Sequence, residues 1–201
     1  MPFSETQSPD EARLETNFEE LVEKLKAPST LNPLHGAPVF YFVYPPRQVL
    51  TVRKLLPVWK ARLAERDRLN LRIISLAEIV DRVIQASGRW ETWLELEEDF
   101  EVSEMNRSVS SALEQDEALI RAVVEKVKAD SDPGDIVFLT DVELLHPYAR
   151  TRPIEHALHQ QITSPVVFLY PGRRVGQYGL NFLEFYPEDS GYRSTIIGGL
   201  E

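Results

Sequence analysis

Residues 164–174, SPVVFLYPGRR, decide the fold class. Val166, Val167, Phe168 and Leu169 form an unbroken apolar run fenced by Pro165 on one side and Pro171-Gly172 on the other. A run this short, rich in β-branched and aromatic residues, predicts a strand covered on both faces. The Pro-Gly pair predicts that the strand stops there and hands over to a loop carrying Arg173 and Arg174. Residues 38–46 (PVFYFVYPP) and 135–143 (DIVFLTDVE) share the pattern, each passing from apolar residues into proline or acid. Such strands, separated by helical segments, imply an α/β fold: a mostly parallel sheet flanked by helices, whose strand ends gather these loops on one edge.

Outward from these strands the helical periods are plain. Leu14, Phe18, Leu21, Val22 and Leu25 predict an amphipathic helix over 8–26, a packing helix rather than a docking one because any surface helix shows such a stripe. Residues 27–38, with three prolines and a glycine, predict a loop. Val52, Leu55, Leu56, Trp59 and Leu63 predict a helix over 47–68, with Pro57 kinking or breaking it. LRIIS, 71–75, predicts a short strand, and Ser75 with Glu78 a capping box opening a helix over 76–86. Residues 89–100 (RWETWLELEEDF) read as an acidic helix with a tryptophan edge in the core, in preference to a partner surface. One helix is predicted over 106–130, a strand over 136–140, a helix over 153–161, and a terminal hairpin of 180–186 with 192–197. The expected organisation is a single α/β domain over 1–201: helix and loop to 37, core over 38–175, hairpin over 176–201.

Composition narrows the function classes. The chain has 201 residues and no apolar run near the roughly 20 residues that span a bilayer. Its first residues carry neither a basic region nor an apolar one, so no secretory signal is expected. The absence of cysteine excludes disulfides and thiolate metal sites and suits a reducing cytoplasm, the expected location. A formal net charge of −10 disfavours a polyanion as partner, so no direct nucleic-acid binding is expected.

The first strand-to-helix junction reads YPPRQVLTVRK, residues 44–54. A phosphate loop needs glycines, whose backbone N–H groups close around phosphates, followed by Lys and Ser or Thr. Pro45 and Pro46 remove donors instead, so a P-loop-like version of this fold would be a degenerate one without its phosphate loop. Asp141 and Glu143, beyond the strand 136–140, occupy the place of a metal-holding acid in ATPases, which makes them a candidate vestigial acidic site with nothing for a metal to bridge. Arg47, Arg173, Arg174 and Arg193 form a candidate anion-binding or docking cluster at the carboxyl edge, with internal salt bridges to acids such as Asp141, Glu143, Glu188 or Asp189 the equally economical reading. His156 and His159 stand three apart, without the HEXXH spacing or a third ligand, so no metal is expected; His146 and Glu155 do not complete a set. No G-x-S-x-G elbow occurs, and no catalytic residue or cofactor is assigned.

The tail SPVVFLYPGRRVGQYGLNFLEFYPEDSGYRSTIIGG, residues 164–199, resembles the terminal signature of the BrxB family of bacterial BREX phage-exclusion systems, with Pro171-Gly172-Arg173, Phe185-Tyr186-Pro187 and Tyr192-Arg193-Ser194 its most specific points. FEELVEKL (18–25), PVFYFVYPP and DIVFLTDVELLHPY (135–148) resemble the same family in the same order. The resemblance implies a cytoplasmic, non-catalytic interaction subunit that supports phage restriction and host DNA methylation. It implies partners among the other BREX proteins: first the PglZ phosphatase-like protein, then the methyltransferase and the large ATPase. The alternative is a degenerate nucleotide-binding or regulatory ATPase-like protein using Asp141, Glu143 and the Arg173-Arg174 loop.

Overall fold

The computed structural model describes residues 8–27, 39–96, 98–99, 101–129 and 135–200. The predicted loop over 27–38 falls almost wholly outside them. Five strands form one parallel sheet: β1 (Val39–Tyr44), β2 (Leu71–Ser75), β3 (Ile136–Thr140), the first half of β4 (Val166–Val175) and β7 (Thr195–Gly198), in the order β2-β3-β4-β1-β7. β5 (Gly179–Phe182) and β6 (Asp189–Ser190) extend it as an antiparallel flap on β4.

Both faces of the sheet are covered, which is why the central strands are apolar at successive positions instead of alternating. On one face Phe40, Phe42, Tyr44, Phe138, Val167 and Leu169 pack under helices α1 (Pro9–Lys26) and α2 (Val49–Arg62). On the other, Tyr41, Val43, Val137, Leu139, Phe168 and Tyr170 pack under α3 (Leu76–Ala86), α5 (Val102–Glu114), α6 (Ala118–Lys128) and α7 (Thr151–Gln161), with Trp93 of α4 (Trp90–Leu96) joining them. The α/β fold with a mostly parallel sheet is therefore as predicted.

α1 is a packing helix. Its five predicted apolar residues are all buried, Phe18 stacks on Trp59 of α2 at 4.4 Å, and Glu15 accepts from both the Trp59 indole and Arg62 at 2.8 Å. Ser8 and Glu11 form a reciprocal capping box at its start. Ser75 caps α3 by accepting the Glu78 N–H at 3.3 Å. Trp93 turns inward and donates to Ser108 at 2.9 Å, in line with a tryptophan edge in the core.

Four expectations are corrected. Of the kink or break expected at Pro57, the break does not occur: α2 runs through it, with Pro57 on the exposed face and the carbonyl it leaves without a donor, that of Arg53, on an exposed residue too. The single helix over 106–130 is two, since Asp116 and Glu117 take left-handed backbone (φ 50° and 55°) between α5 and α6. β4 does not stop at Pro171-Gly172. It runs on to Val175, changing partners from parallel β1 and β3 to antiparallel β5. Gly172 permits this, since a Cβ there would lie 2.4 Å from the Asn181 carbonyl oxygen. Finally, residues 192–197 form no hairpin with 180–186. β5 pairs with β4 and β6, whereas β7 pairs parallel to β1 with Ile196 and Ile197 buried on opposite faces, so the tail completes the core sheet.

Candidate functional site

The carboxyl edge of the sheet is where open α/β sheets bind ligands, and here its chemistry is internally satisfied. After β1, Pro46–Gln48 make one 3-10 turn that buries Gln48 and leads straight into α2. No glycine loop stands there. One turn further on, Arg53 reaches across to the end of β3, its Nη2 2.7 Å from Asp141 Oδ1 and 2.8 Å from Glu143 Oε1. The other Asp141 oxygen accepts from Ser75 at 2.5 Å and Thr140 at 3.0 Å. Asp141 itself has φ 59°, and the 3-10 turn Val142–Leu145 follows it. Below lies the Tyr44 phenol, pushed well above its usual range by burial first and then by the nearby Glu143 and Asp141 charges, with Arg53 partly offsetting them.

The four candidate arginines do not gather. Arg47 and Arg173 share a small cleft of about 50 Å³ with Arg13, Asp10 and Glu184, and Arg47 lies 3.6 Å from Asp10. Arg174 folds back onto its own hairpin, donating to the carbonyls of Gly176 (3.1 Å), Gln177 (3.3 Å) and Ile196 (3.4 Å). Arg193 precedes β7 and lines a different cleft, with Arg152, His156 and His159. The internal salt bridges expected for Asp141 and Glu143 do exist, but their cation is Arg53 of α2, none of the four candidate arginines.

The histidines separate likewise. His146 bonds to the Tyr186 hydroxyl and meets Phe185 edge-on at 5.3 Å, while Arg150 stacks on the Tyr186 ring at 3.7 Å. Leu144 (49% exposed) and Phe185 (64%) stand out beside them. His156 and His159 lie on α7. Among the described residues no group of His, Cys, Asp or Glu is placed to hold a metal. Ser194, His159 and Glu155 adjoin, yet not as a catalytic triad. Glu155 Oε1 accepts from the Ser194 N–H (3.2 Å) and from the Ser194 hydroxyl, and lies 3.6 Å from the same His159 nitrogen that meets Ser194 at 3.1 Å. A triad acid binds the far nitrogen of the imidazole, not the serine.

The family follows from residues 72–197, which match the family described as BREX protein BrxB. The chain belongs to the BrxB family. A protein of Bacillus cereus (strain H3081.97) named BREX protein BrxB is 25% identical over 160 residues, spanning 77% of this chain and 80% of that relative. No solved structure matches. The BrxB match takes in Arg72, Asp141, Glu143, Arg152 and Arg193 but begins after α1 and α2, so Arg53 lies outside it. No described helix is long and apolar enough to cross a membrane.

Proposed function

We propose that this chain is a non-catalytic interaction subunit of a BREX phage-exclusion system, supporting phage restriction and host DNA methylation through contacts with other BREX proteins in the cytoplasm. The PglZ phosphatase-like protein is the first expected partner, ahead of the methyltransferase and the large ATPase. One observation carries the non-catalytic part: Arg53 pairs with both Asp141 and Glu143, occupying the crevice where an ATPase-like protein would hold metal and phosphate. The Pro45-Pro46 junction, which lacks the donors of a phosphate loop, supports the same reading. Family membership supports the BREX part.

The test is co-purification with tagged PglZ from cells expressing the whole system. Retention is expected, and loss of association with every BREX component would overturn the reading. The ATPase-like alternative predicts Mg²⁺-dependent nucleotide binding that Asp141→Ala abolishes. Calorimetry is expected to find no such Mg²⁺-dependent binding, and Asp141→Ala should leave phage restriction intact.

A further inference from the structure

A second charged region sits away from the carboxyl edge, between α7 and the segment leading into β7. Arg152, His156 and His159 recur at i, i+4 and i+7 on one face of α7, and Arg193 faces them across a cleft of about 140 Å³. The backbone that presents Arg193 is pinned on both sides. Tyr192 is buried with its ring 5.0 Å from that of Tyr41, and Ser194 is buried with both its N–H and its hydroxyl donated to Glu155. Gly191, at φ +90°, brings the chain in against Arg152, whose Nη2 would stand 3.5 Å from a Cβ there.

Glu155 also lines the cleft, but its carboxylate is engaged. The Glu155 side chain is only 5% exposed and spends its Oε1 on Ser194, with His159 3.6 Å away. Asp189 pairs with Arg152 at 2.7 Å, an exposed pair of the kind that contributes little and yields to a better ligand. His156 meets Gln160 at 3.0 Å, and Arg193 is exposed. In a chain of net charge −10, two guanidinium groups and two imidazoles around one concavity, with the engaged Glu155 as its lining carboxylate, concentrate donors locally.

We infer that this cleft binds the phosphate group of a small phosphomonoester, with Arg193 and Arg152 as its fork-shaped donors and His156 and His159 completing the ring. Arginine forks match tetrahedral oxyanions bidentately, and charge-assisted bonds are the strong ones. A polynucleotide is disfavoured, because it needs a track of cations beyond a single concavity, and the chain as a whole carries a net charge of −10. The inference is independent of the proposed BREX contacts, and it uses none of the carboxyl-edge residues.

The test is calorimetric titration of the full chain with inorganic phosphate in the absence of divalent cations. Saturable binding in the millimolar range is expected, weakened at least tenfold by Arg193→Glu with the thermal midpoint unchanged. His156→Gln, on the exposed face of α7, should weaken it several-fold and keeps the test valid if the arginine variant unfolds. The absence of saturable binding, or equal affinity in both folded variants, would overturn the assignment. So would tighter, steeply salt-dependent binding of single-stranded DNA, which would make the site a polynucleotide contact.

Discussion

Two charged regions of this molecule use carboxylates in opposite ways. At the carboxyl edge Asp141 and Glu143 meet Arg53 directly, so both acids are engaged by one cation that offsets part of their charge. At the α7 cleft Glu155 holds a backbone N–H and a hydroxyl, and Arg152 and Arg193 beside it are exposed. The first arrangement looks like a ligand site by position and is closed by chemistry. The second carries no sequence motif and is open. Position on a sheet edge is therefore weaker evidence for binding than the balance of charges that remains after internal pairing.

The comparison breaks most visibly at Glu155. If its carboxylate is a structural acceptor, Glu155→Ala strands the Ser194 donors in a buried setting and should cost about 3 kcal/mol, read as a lowered denaturation midpoint. Glu155→Gln keeps an acceptor and should cost less than half of that. Equal loss in the two variants would show that the charge, not the hydrogen bonding, is what matters.

Each region also rests on buried phenols, and alkaline titration separates them. Burial raises Tyr41 and Tyr44 well above 10.0 and Tyr192 to about 12, with Glu155 adding to the rise at Tyr41 and Tyr192, and Glu143 and Asp141 at Tyr44. The folded phenols keep their protons while unfolded ones ionise near 10, so the unfolded state binds fewer protons above that pH and stability falls as pH rises. Stability should be level below pH 10.0 as far as these groups are concerned. Above it each should contribute a decline approaching 1.4 kcal/mol per pH unit. Tyr44→Phe and Tyr192→Phe should each flatten the decline, measured by urea denaturation across the alkaline range. An unchanged slope in Tyr44→Phe would mean that phenol is already ionised or exposed at the acid site.

Arg53 comes next in size. It is partly exposed, so Arg53→Met should destabilise by only about 1 kcal/mol, through the repulsion left between Asp141 and Glu143. Adding Asp141→Asn and Glu143→Gln to it should restore most of the loss. If the triple variant is worse than the single, the acids have a role beyond pairing with Arg53, and the closed description of this edge fails.

What the sequence made legible follows from which interactions are local. β1, β2, β3 and α3 were readable because unbroken apolar runs, Pro-Pro punctuation and a Ser75-Glu78 cap act within a few residues. The course of β4 was not, because Pro171-Gly172 reads locally as a stop while its continuation is decided by β5 and the Asn181 carbonyl beyond the turn. β7 was misread for the same reason: Thr195–Gly198 has the look of a hairpin arm, and only its distant pairing with β1 makes it a core strand. At the sites, Asp141 and Glu143 were visible as strand-end acids. Arg53 was not, lying 88 and 90 residues away, although its place one turn past the proline junction was a signal that it faces the strand ends. Arg193 was named for the wrong edge, and Arg152 and Ser194 were missed as site residues, because α7 meets the β7 lead-in only in the fold.

The smallest effects discriminate between neighbours in the PGRR corner. Arg174 donates to three carbonyls of its own hairpin and of β7, two of them exposed to water once it is gone, so Arg174→Ala should cost about 0.5–1 kcal/mol. Arg173 is exposed beside Arg47 and Glu184, and its replacement by Ala should stay within about 0.5 kcal/mol. The pair thereby separates fold from contact. If the carboxyl edge, closed to small ligands, is instead where a BREX protein docks, Arg173→Glu should reduce co-purification while leaving the denaturation midpoint in place, because a rim charge acts on association and not on the fold. Reduced association only in Arg174→Ala, in step with its lost stability, would instead mean that the corner shapes the flap without touching the partner.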